Sequence, residues 1–68
     1  MTFGEKLKKL RSENALTQEQ LAEKIFVTRT AVSKWETGEG YPSIDSLKAI
    51  SNLFNVSVDE LISDADIE

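Results

Sequence analysis

The sequence contains neither cysteine nor histidine, and it has one proline and three glycines among its 68 residues. Without cysteine there is no disulfide and no thiolate metal site, and without histidine the most frequent metal ligand and general base is missing. No apolar run approaches the roughly 18 residues that a membrane-spanning helix needs. The charged, amphipathic N-terminus also differs from a signal peptide. We therefore expect no cofactor, no metal, no membrane contact and a cytoplasmic location.

The remaining composition is that of a soluble globular domain. Hydrophobic residues make up 40% of the chain and charged residues 29%, a balance that favours a packed core over disorder. A chain of this length forms one domain and buries only about 60% of its unfolded surface. We expect that domain to span residues 1–63, followed by an acidic tail or linker at residues 64–68.

The net charge of −4 argues at first against a nucleic-acid partner. Its distribution weakens that argument, because residues 1–11 hold four basic residues and one acidic residue. Residues 41–68 hold six acidic residues and one basic residue. The acidic excess therefore lies mainly in the C-terminal part, and we expect weak non-specific DNA binding because that term follows the number of phosphates neutralised.

Helix-start signals occur at several points along the chain. A threonine or serine stands three residues before a glutamate or glutamine at Thr2-Glu5, Thr17-Gln20 and Ser57-Glu60, the spacing of a capping box. Further helix starts are predicted at Thr28 and Ser43 by their position before apolar-periodic segments. The sequence predicts a compact all-α bundle of five helices.

The first predicted helix carries an apolar stripe at three- and four-residue steps, formed by Phe3, Leu7 and Leu10. The nearby lysines, Lys6 among them, lie off this stripe, and we expect them to be solvated. Asn14 is predicted to end the helix in a left-handed conformation, because asparagine tolerates that conformation better than most residues.

The third predicted helix, residues 28–37, has two chemically different sides when its residues are placed 100° apart. The small and apolar side is formed by Ala31, Val32 and Trp35, and Trp35 is therefore predicted to lie in the core. The opposite side contains basic and hydroxyl residues and no acidic residue, namely Arg29, Thr30, Ser33 and Lys34. Such side chains hydrogen-bond base edges and phosphates. Taken alone, however, a polar helix face is most often simply solvated.

The wider pattern changes this interpretation. The segments Leu16-Thr17-Gln18-Glu19-Gln20-Leu21-Ala22, Val27-Thr28 and Val32-Ser33-Lys34-Trp35-Glu36-Thr37-Gly38 closely resemble the helix-turn-helix family of the phage repressor and Cro type. The similarity continues through Tyr41-Pro42-Ser43 and Val56-Ser57-Val58-Asp59-Glu60-Leu61, so that it covers nearly the whole chain. The resemblance implies a lambda-repressor-like DNA-binding domain whose second and third helices form the helix-turn-helix.

The resemblance also implies roles for individual residues. The base-contacting positions correspond to Arg29, Thr30, Ser33 and Lys34. The positions that contact the DNA backbone correspond to Gln18, Thr28, Gly40, Tyr41 and Ser43. A structural ion pair is expected between Arg11 and Glu36, which match the arginine and glutamate that join the first and third helices in the family.

Phe26 departs from the family pattern, which usually has glycine at this point in the turn. A positive φ is often required there, and a phenylalanine in that conformation is strained. We therefore expect either a locally different backbone or compensation by packing of the ring.

The function implied by the resemblance is sequence-specific binding of double-stranded DNA by a transcriptional regulator. We expect a repressor that acts as a homodimer on a palindromic operator, with dimer contacts from Val56, Val58 and Ile62. The alternative is a protein-interaction module, such as an antitoxin or adaptor, built on the same scaffold. An enzyme is the least supported class, because the sequence lacks histidine, cysteine and a glycine-rich phosphate loop.

Overall fold

The structure is a computed structural model that describes residues 1–63, so the predicted acidic tail at residues 64–68 lies outside the described residues. Five α-helices follow one another along the chain: α1 (Phe3–Glu13), α2 (Gln18–Lys24), α3 (Arg29–Thr37), α4 (Ile44–Phe54) and α5 (Val58–Ile62). Within residues 1–63 there is no β-strand. The predicted all-α class with five helices is confirmed.

Each helix begins at a serine or threonine whose side-chain oxygen accepts a hydrogen bond from the backbone two or three residues inside the helix. These N-cap residues are Thr2, Thr17, Thr28, Ser43 and Ser57. The three predicted capping boxes are all formed. Each cap satisfies an amide that would otherwise lack a partner, which contributes about 1 kcal/mol. The helix starts are therefore determined locally.

Four of the five helices end at a residue in the left-handed conformation, and three of those residues are not glycine. They are Ala15 (φ 57°), Phe26 (φ 62°), Gly38 (φ 88°) and Asn55 (φ 57°). The residue that follows each of them donates its backbone N–H to the carbonyl five residues before it. Leu16, for example, donates to the carbonyl of Arg11 at 3.0 Å. This is the hydrogen-bonding pattern of a Schellman motif, which satisfies the last carbonyls of a helix.

The prediction that Asn14 takes the left-handed conformation at the end of α1 is wrong. Asn14 has φ −101°, and the next residue, Ala15, carries the positive φ. The Asn14 side-chain amide instead donates to the carbonyl of Leu10 at 2.8 Å. This bond holds Asn14 against the last turn of α1, so the reversal of the chain falls one residue later.

Phe26 follows neither of the two alternatives expected for it. Its backbone keeps the positive φ, and its ring is 93% exposed, so packing of the ring does not compensate for the strain. The turn is held by main-chain bonds, from Val27 to Ala22 at 3.0 Å and from Phe26 to Glu23 at 3.4 Å. A left-handed conformation costs a residue other than glycine about 1–2 kcal/mol. Phe26 therefore makes the domain less stable than a glycine there would.

The hydrophobic core receives at least one buried side chain from every helix. It consists of Leu7, Leu21, Ala22, Ile25, Val32, Trp35, Leu47, Ile50 and Leu61. Trp35 is 7% exposed, as predicted from its place on the apolar side of α3. Because this core lies behind α3, it fixes which side of that helix faces outward.

Helix α1 approaches α3 at Gly4 so closely that no side chain fits between them. A Cβ atom on Gly4 would lie 2.5 Å from the Trp35 carbonyl oxygen and 2.6 Å from that of Glu36. These distances are far below van der Waals contact, so the two backbones touch directly. Since α3 also packs on α2, it is held between two helices and its orientation is fixed.

Lys6 is not the solvated lysine that the sequence predicts. Its Nζ donates to the carbonyl of Glu60 at 2.8 Å and also to the carbonyl of Ser63. The C-terminal end of a helix has unsatisfied carbonyls and partial negative charge, which a lysine ammonium complements. Lys6 therefore attaches the short helix α5 to α1.

Candidate nucleic-acid interface

Helix α3 presents opposite sides to the core and to solvent. Val32 is fully buried and Trp35 nearly so. On the other side, Arg29, Thr30 and Lys34 are exposed and Ser33 is half-buried. The structure thus brings the four predicted base-contacting residues together on one accessible surface, which we call the α3 outer face.

The side chains of the α3 outer face are not used to hold the fold together. Within residues 1–63, none of the four makes a side-chain hydrogen bond or an ion pair with another described residue. The segment from Lys24 to Trp35 contains three basic residues and no acidic residue. The face is therefore locally cationic in a chain of net negative charge, and its hydrogen-bonding groups are available to a ligand.

Two of the predicted backbone-contacting residues lie at the starts of α2 and α3. Thr28 is exposed, and its hydroxyl oxygen accepts the amide of Ala31 at 3.1 Å. Its hydroxyl hydrogen can still be donated. Gln18 is half-buried in the first turn of α2, where the dipole end is positive and suits an anion. Its Nε2 donates to Glu36 Oε1 at 3.0 Å, so Gln18 also has a structural partner that the sequence analysis did not include.

The other three predicted backbone-contacting residues belong to the loop between α3 and α4. The Gly40 amide donates to the Lys34 carbonyl at 3.2 Å, so it already has a partner within the domain. Tyr41 is exposed, and its ring lies 5.0 Å from that of Phe3 at an angle of 51°. The Ser43 hydroxyl accepts the amide of Ser46 at 3.2 Å and so caps α4.

Arg11 and Glu36 form a largely buried ion pair that joins α1 to α3. Arg11 Nε lies 2.7 Å from Glu36 Oε2, and Arg11 Nη2 lies 3.1 Å from Glu36 Oε1. A third nitrogen, Nη1, donates to the carbonyl of Leu16 at 2.9 Å. The side chain of Glu36 is only 4% exposed. Its hydrogen bond and its charge raise the pKa of Arg11 and outweigh the opposite effect of burial.

The same Glu36 carboxylate therefore accepts hydrogen bonds from both α1 and α2. Arg11, Glu36 and Gln18 together connect α1, α3 and α2. We call this group the carboxylate cluster. It sets the position of α2 relative to α3, and so of Gln18 relative to the α3 outer face.

Sequence reasoning missed Gly4, although a signal for it is present. Gly4 is the second residue of α1, and glycine is unfavourable inside a helix by about 1 kcal/mol relative to alanine. A glycine at that place indicates that something comes too close for a side chain. Which element comes close is visible only in the folded domain.

Two further features of residues 1–63 bear on function. No helix there is both long enough and apolar enough to cross a membrane. Within the same residues no three acidic, histidine or cysteine side chains lie together as metal ligands. The described part of the chain thus offers binding groups on α3 and no cluster of metal-binding groups.

The family model described as helix-turn-helix matches residues 7–61. The chain therefore belongs to the helix-turn-helix family.

Among curated relatives, the HTH-type transcriptional activator BcrR of Enterococcus faecalis is 60% identical over 63 residues, which cover 93% of this chain and 31% of that protein. Control protein C.MunI of a Mycoplasma species is 42% identical over 67 residues, covering 97% of this chain and 90% of C.MunI. The chain spans about half the length of several other curated relatives, such as 52% of YqaE of Bacillus subtilis.

Among solved structures, the P22 c2 repressor in complex with a synthetic operator superposes with a TM-score of 0.89 at 28% identity. The match covers 93% of this chain and 96% of that chain. The fold described above is thus that of a repressor domain whose structure was determined on operator DNA.

Proposed function

We propose that residues 1–63 bind double-stranded DNA sequence-specifically and regulate transcription. The observation that carries this proposal is the α3 outer face, where basic and hydroxyl side chains stand free of partners within the domain. In the docking mode of this class, α3 enters the major groove and α2 crosses the sugar-phosphate backbone. The operator-bound P22 c2 repressor, with the same fold, supports that mode. The proposed role of the face is binding and not catalysis.

Each residue of the α3 outer face has a role that its chemistry allows. Arg29 presents two parallel donors that match O6 and N7 of guanine. Thr30 offers a methyl group to thymine or a hydroxyl to phosphate, and Ser33 offers a hydroxyl between them. Lys34 reaches guanine or phosphate. A good bidentate contact to one base discriminates by about 1–3 kcal/mol.

The proposed contacts to the sugar-phosphate backbone come from Gln18, Thr28, Tyr41 and Ser43. We leave Gly40 out of this set because its amide already donates to Lys34. Gln18 keeps its side-chain oxygen and a second N–H beyond the bond to Glu36. The carboxylate cluster therefore orients Gln18 without using all of its hydrogen-bonding capacity.

We further propose that the domain acts as a homodimer on a palindromic operator. One such domain covers half of a site, and the half-sites are expected about one helical turn apart. Val56 and Val58 are half-buried and Ile62 is exposed, so all three are accessible to a second copy. Val56, together with Met1 and Leu10, also lines an open groove of about 450 Å³. These apolar groups support the predicted dimer contact.

The proposed regulator is a repressor in the cytoplasm. A dimer that occupies promoter DNA excludes RNA polymerase by steric overlap, and no further domain is needed for that effect. The P22 c2 protein is named a repressor and the Enterococcus relative an activator. A reporter promoter that contains the operator distinguishes the two, because repression lowers its output when this protein is present.

Selection from random duplex DNA at about 0.1 M salt tests the central proposal, because phosphate-only binding weakens steeply as salt rises. Enrichment of a palindrome supports sequence-specific binding by a dimer. If correctly folded protein enriches no sequence, the DNA-binding proposal is refuted, and a protein-interaction module of the antitoxin or adaptor type takes its place.

Substitution of Arg29 connects the operator to the α3 outer face. Arg29→Ala should weaken operator binding by about 10- to 100-fold and relax the base preference at one position, because one bidentate contact is lost. Stability should stay within about 0.5 kcal/mol of wild type, because Arg29 is exposed and unpaired. Lys48→Ala, which removes an exposed lysine from α4, is the control and should bind normally. Equal effects of the two variants would contradict the assignment.

A further inference from the structure

We propose that Phe26 is an additional DNA-contacting residue, whose ring packs on deoxyribose carbons at the edge of the groove that α3 enters. The inference rests on the proposed function. Its starting point is that Phe26 is 93% exposed and has φ 62° in the turn between α2 and α3.

Nothing inside the domain accounts for a phenylalanine at this position. The ring takes no part in the hydrophobic core, and the left-handed backbone favours glycine. The strained backbone therefore reduces stability, and the exposed ring contributes no burial that would offset the strain. Main-chain hydrogen bonds hold the backbone of this turn, but they do not account for the exposed ring, and it is the ring that points to a role in binding.

The place of Phe26 in the chain favours DNA as its partner. It precedes the N-cap Thr28 by two residues and Arg29 by three, which puts its Cα within about 11 Å of that of Arg29. The surrounding residues 24–35 carry three positive charges and no negative charge. A polyanion is attracted to such a segment, whereas a basic protein surface is repelled.

The chemistry of the ring defines what part of DNA it contacts. A phenyl group donates and accepts no conventional hydrogen bonds, so its favourable contacts are with apolar carbon. A turn that precedes a helix lying in the major groove faces the groove edge, where deoxyribose carbons form the apolar surface between phosphates. Such a contact increases affinity, but it reads no base and neutralises no phosphate.

This assignment has a distinctive experimental signature. Loss of the ring should weaken binding equally for operator and non-operator DNA, because sugars are the same in both. The slope of log affinity against log salt concentration should not change, because no counterion is released at a sugar. Loss of a lysine or arginine contact to phosphate instead reduces that slope by about 0.9.

The test compares Phe26→Gly and Phe26→Asn with wild type by fluorescence anisotropy on the selected operator, from about 50 to 200 mM salt. Both replacements tolerate the left-handed conformation. We expect about 10-fold weaker binding for each, equivalent to about 1.4 kcal/mol, with an unchanged salt slope and an unchanged or raised melting temperature. Phe26→Leu should retain part of the affinity.

Ala15→Gly is the matched control, because Ala15 also has a positive φ at a helix end (57°) but carries no ring. It relieves strain and should bind with wild-type affinity. Wild-type affinity of both ring-deleting variants overturns the inference alone. A loss confined to operators with a particular base, or a changed salt slope, also overturns the sugar contact. If wild-type protein binds no DNA, the proposed function fails and this inference fails with it.

Discussion

Replacement of Glu36 by glutamine tests how strongly the carboxylate cluster holds the domain together. The Glu36 side chain is 4% exposed and accepts hydrogen bonds at 2.7 and 3.1 Å from Arg11 and at 3.0 Å from Gln18. Glu36→Gln preserves the shape of the side chain but removes its charge. It also replaces one acceptor oxygen by an NH₂ group that faces the donors of Arg11.

The expected loss is large relative to the stability of so small a domain. Removing one partner of a buried ion pair costs about 3–5 kcal/mol. Arg11 is 14% exposed and keeps its bond to Leu16, so we expect about 3 kcal/mol, the lower end of that range. A domain of 68 residues is typically stable by about 3–10 kcal/mol in total. Glu36→Gln should therefore leave the domain close to its unfolding threshold.

Urea denaturation followed by circular dichroism measures this loss. Glu23→Gln, the same chemical change at an exposed position of α2, should alter stability by less than about 0.5 kcal/mol. The double variant Arg11→Met, Glu36→Met should be less destabilised than the sum of its single variants, because it leaves no unpaired buried charge. A loss below about 1 kcal/mol for Glu36→Gln, the value of a surface ion pair, would refute the reasoning.

Raising the pH to deprotonate Arg11 cannot replace the Glu36→Gln substitution as a test of the ion pair. The hydrogen bond and charge of Glu36 raise the pKa of Arg11 above the ordinary guanidinium value. A group with a raised pKa in the folded state stabilises the fold fully below its unfolded pKa, and this contribution falls only as pH rises through the folded pKa. For Arg11 that window is strongly alkaline. Its charge should therefore persist at every pH used to study DNA binding.

Two further substitutions test contacts that the sequence did not predict. Gly4→Ala should lower stability by about 1–3 kcal/mol through overpacking against Trp35, although alanine normally stabilises a helix interior relative to glycine; urea denaturation measures the change. Lys6→Met should lower stability by about 1–3 kcal/mol, because it removes the charged donor to the carbonyls of Glu60 and Ser63; faster hydrogen exchange in α5 locates the loss.

The Gly4→Ala and Lys6→Met substitutions each have a control of the same chemical type. A Cβ on Gly40 would meet its nearest atom at 3.6 Å, an ordinary contact, so Gly40→Ala should fold without comparable loss. Lys8 is exposed, so Lys8→Met should leave α5 unchanged. Equal stability of Gly4→Ala and wild type would contradict the direct backbone contact, and unchanged α5 exchange in Lys6→Met would contradict the attachment of α5 by Lys6.

The parts of the fold that sequence predicted well are those decided within a few residues. A capping box depends on two side chains three positions apart, so Thr17-Gln20 and Ser57-Glu60 were identifiable without knowledge of the fold. The two sides of α3 follow equally from helical periodicity. The resemblance to the family added the pairing of Arg11 with Glu36, which are 25 positions apart and which periodicity alone does not connect.

Two of the features that sequence did not predict, at Gly4 and Lys6, depend on which elements meet in the folded chain. Glycine is required at position 4 because the backbone of α3 lies against it. Lys6 has hydrogen-bond partners because the carbonyls at the end of α5 lie next to α1. Asn14 was predicted to turn the chain on intrinsic preference, but its side chain found a partner at Leu10 and Ala15 turned the chain instead. For Gly4 and Lys6 a tertiary contact outweighs the local tendency, whereas for Asn14 a hydrogen bond to a carbonyl four residues earlier outweighs it.

The independence of the α3 outer face from the core has an evolutionary consequence. Because Arg29, Thr30 and Lys34 are exposed and make no side-chain bonds to the described residues, exchanging them alters little in the free energy of folding. Caps, core and carboxylate cluster maintain the scaffold, and the side chains that we propose to read DNA form a separate set. A lineage with this domain can thus explore new operators by point mutation without passing through unstable intermediates.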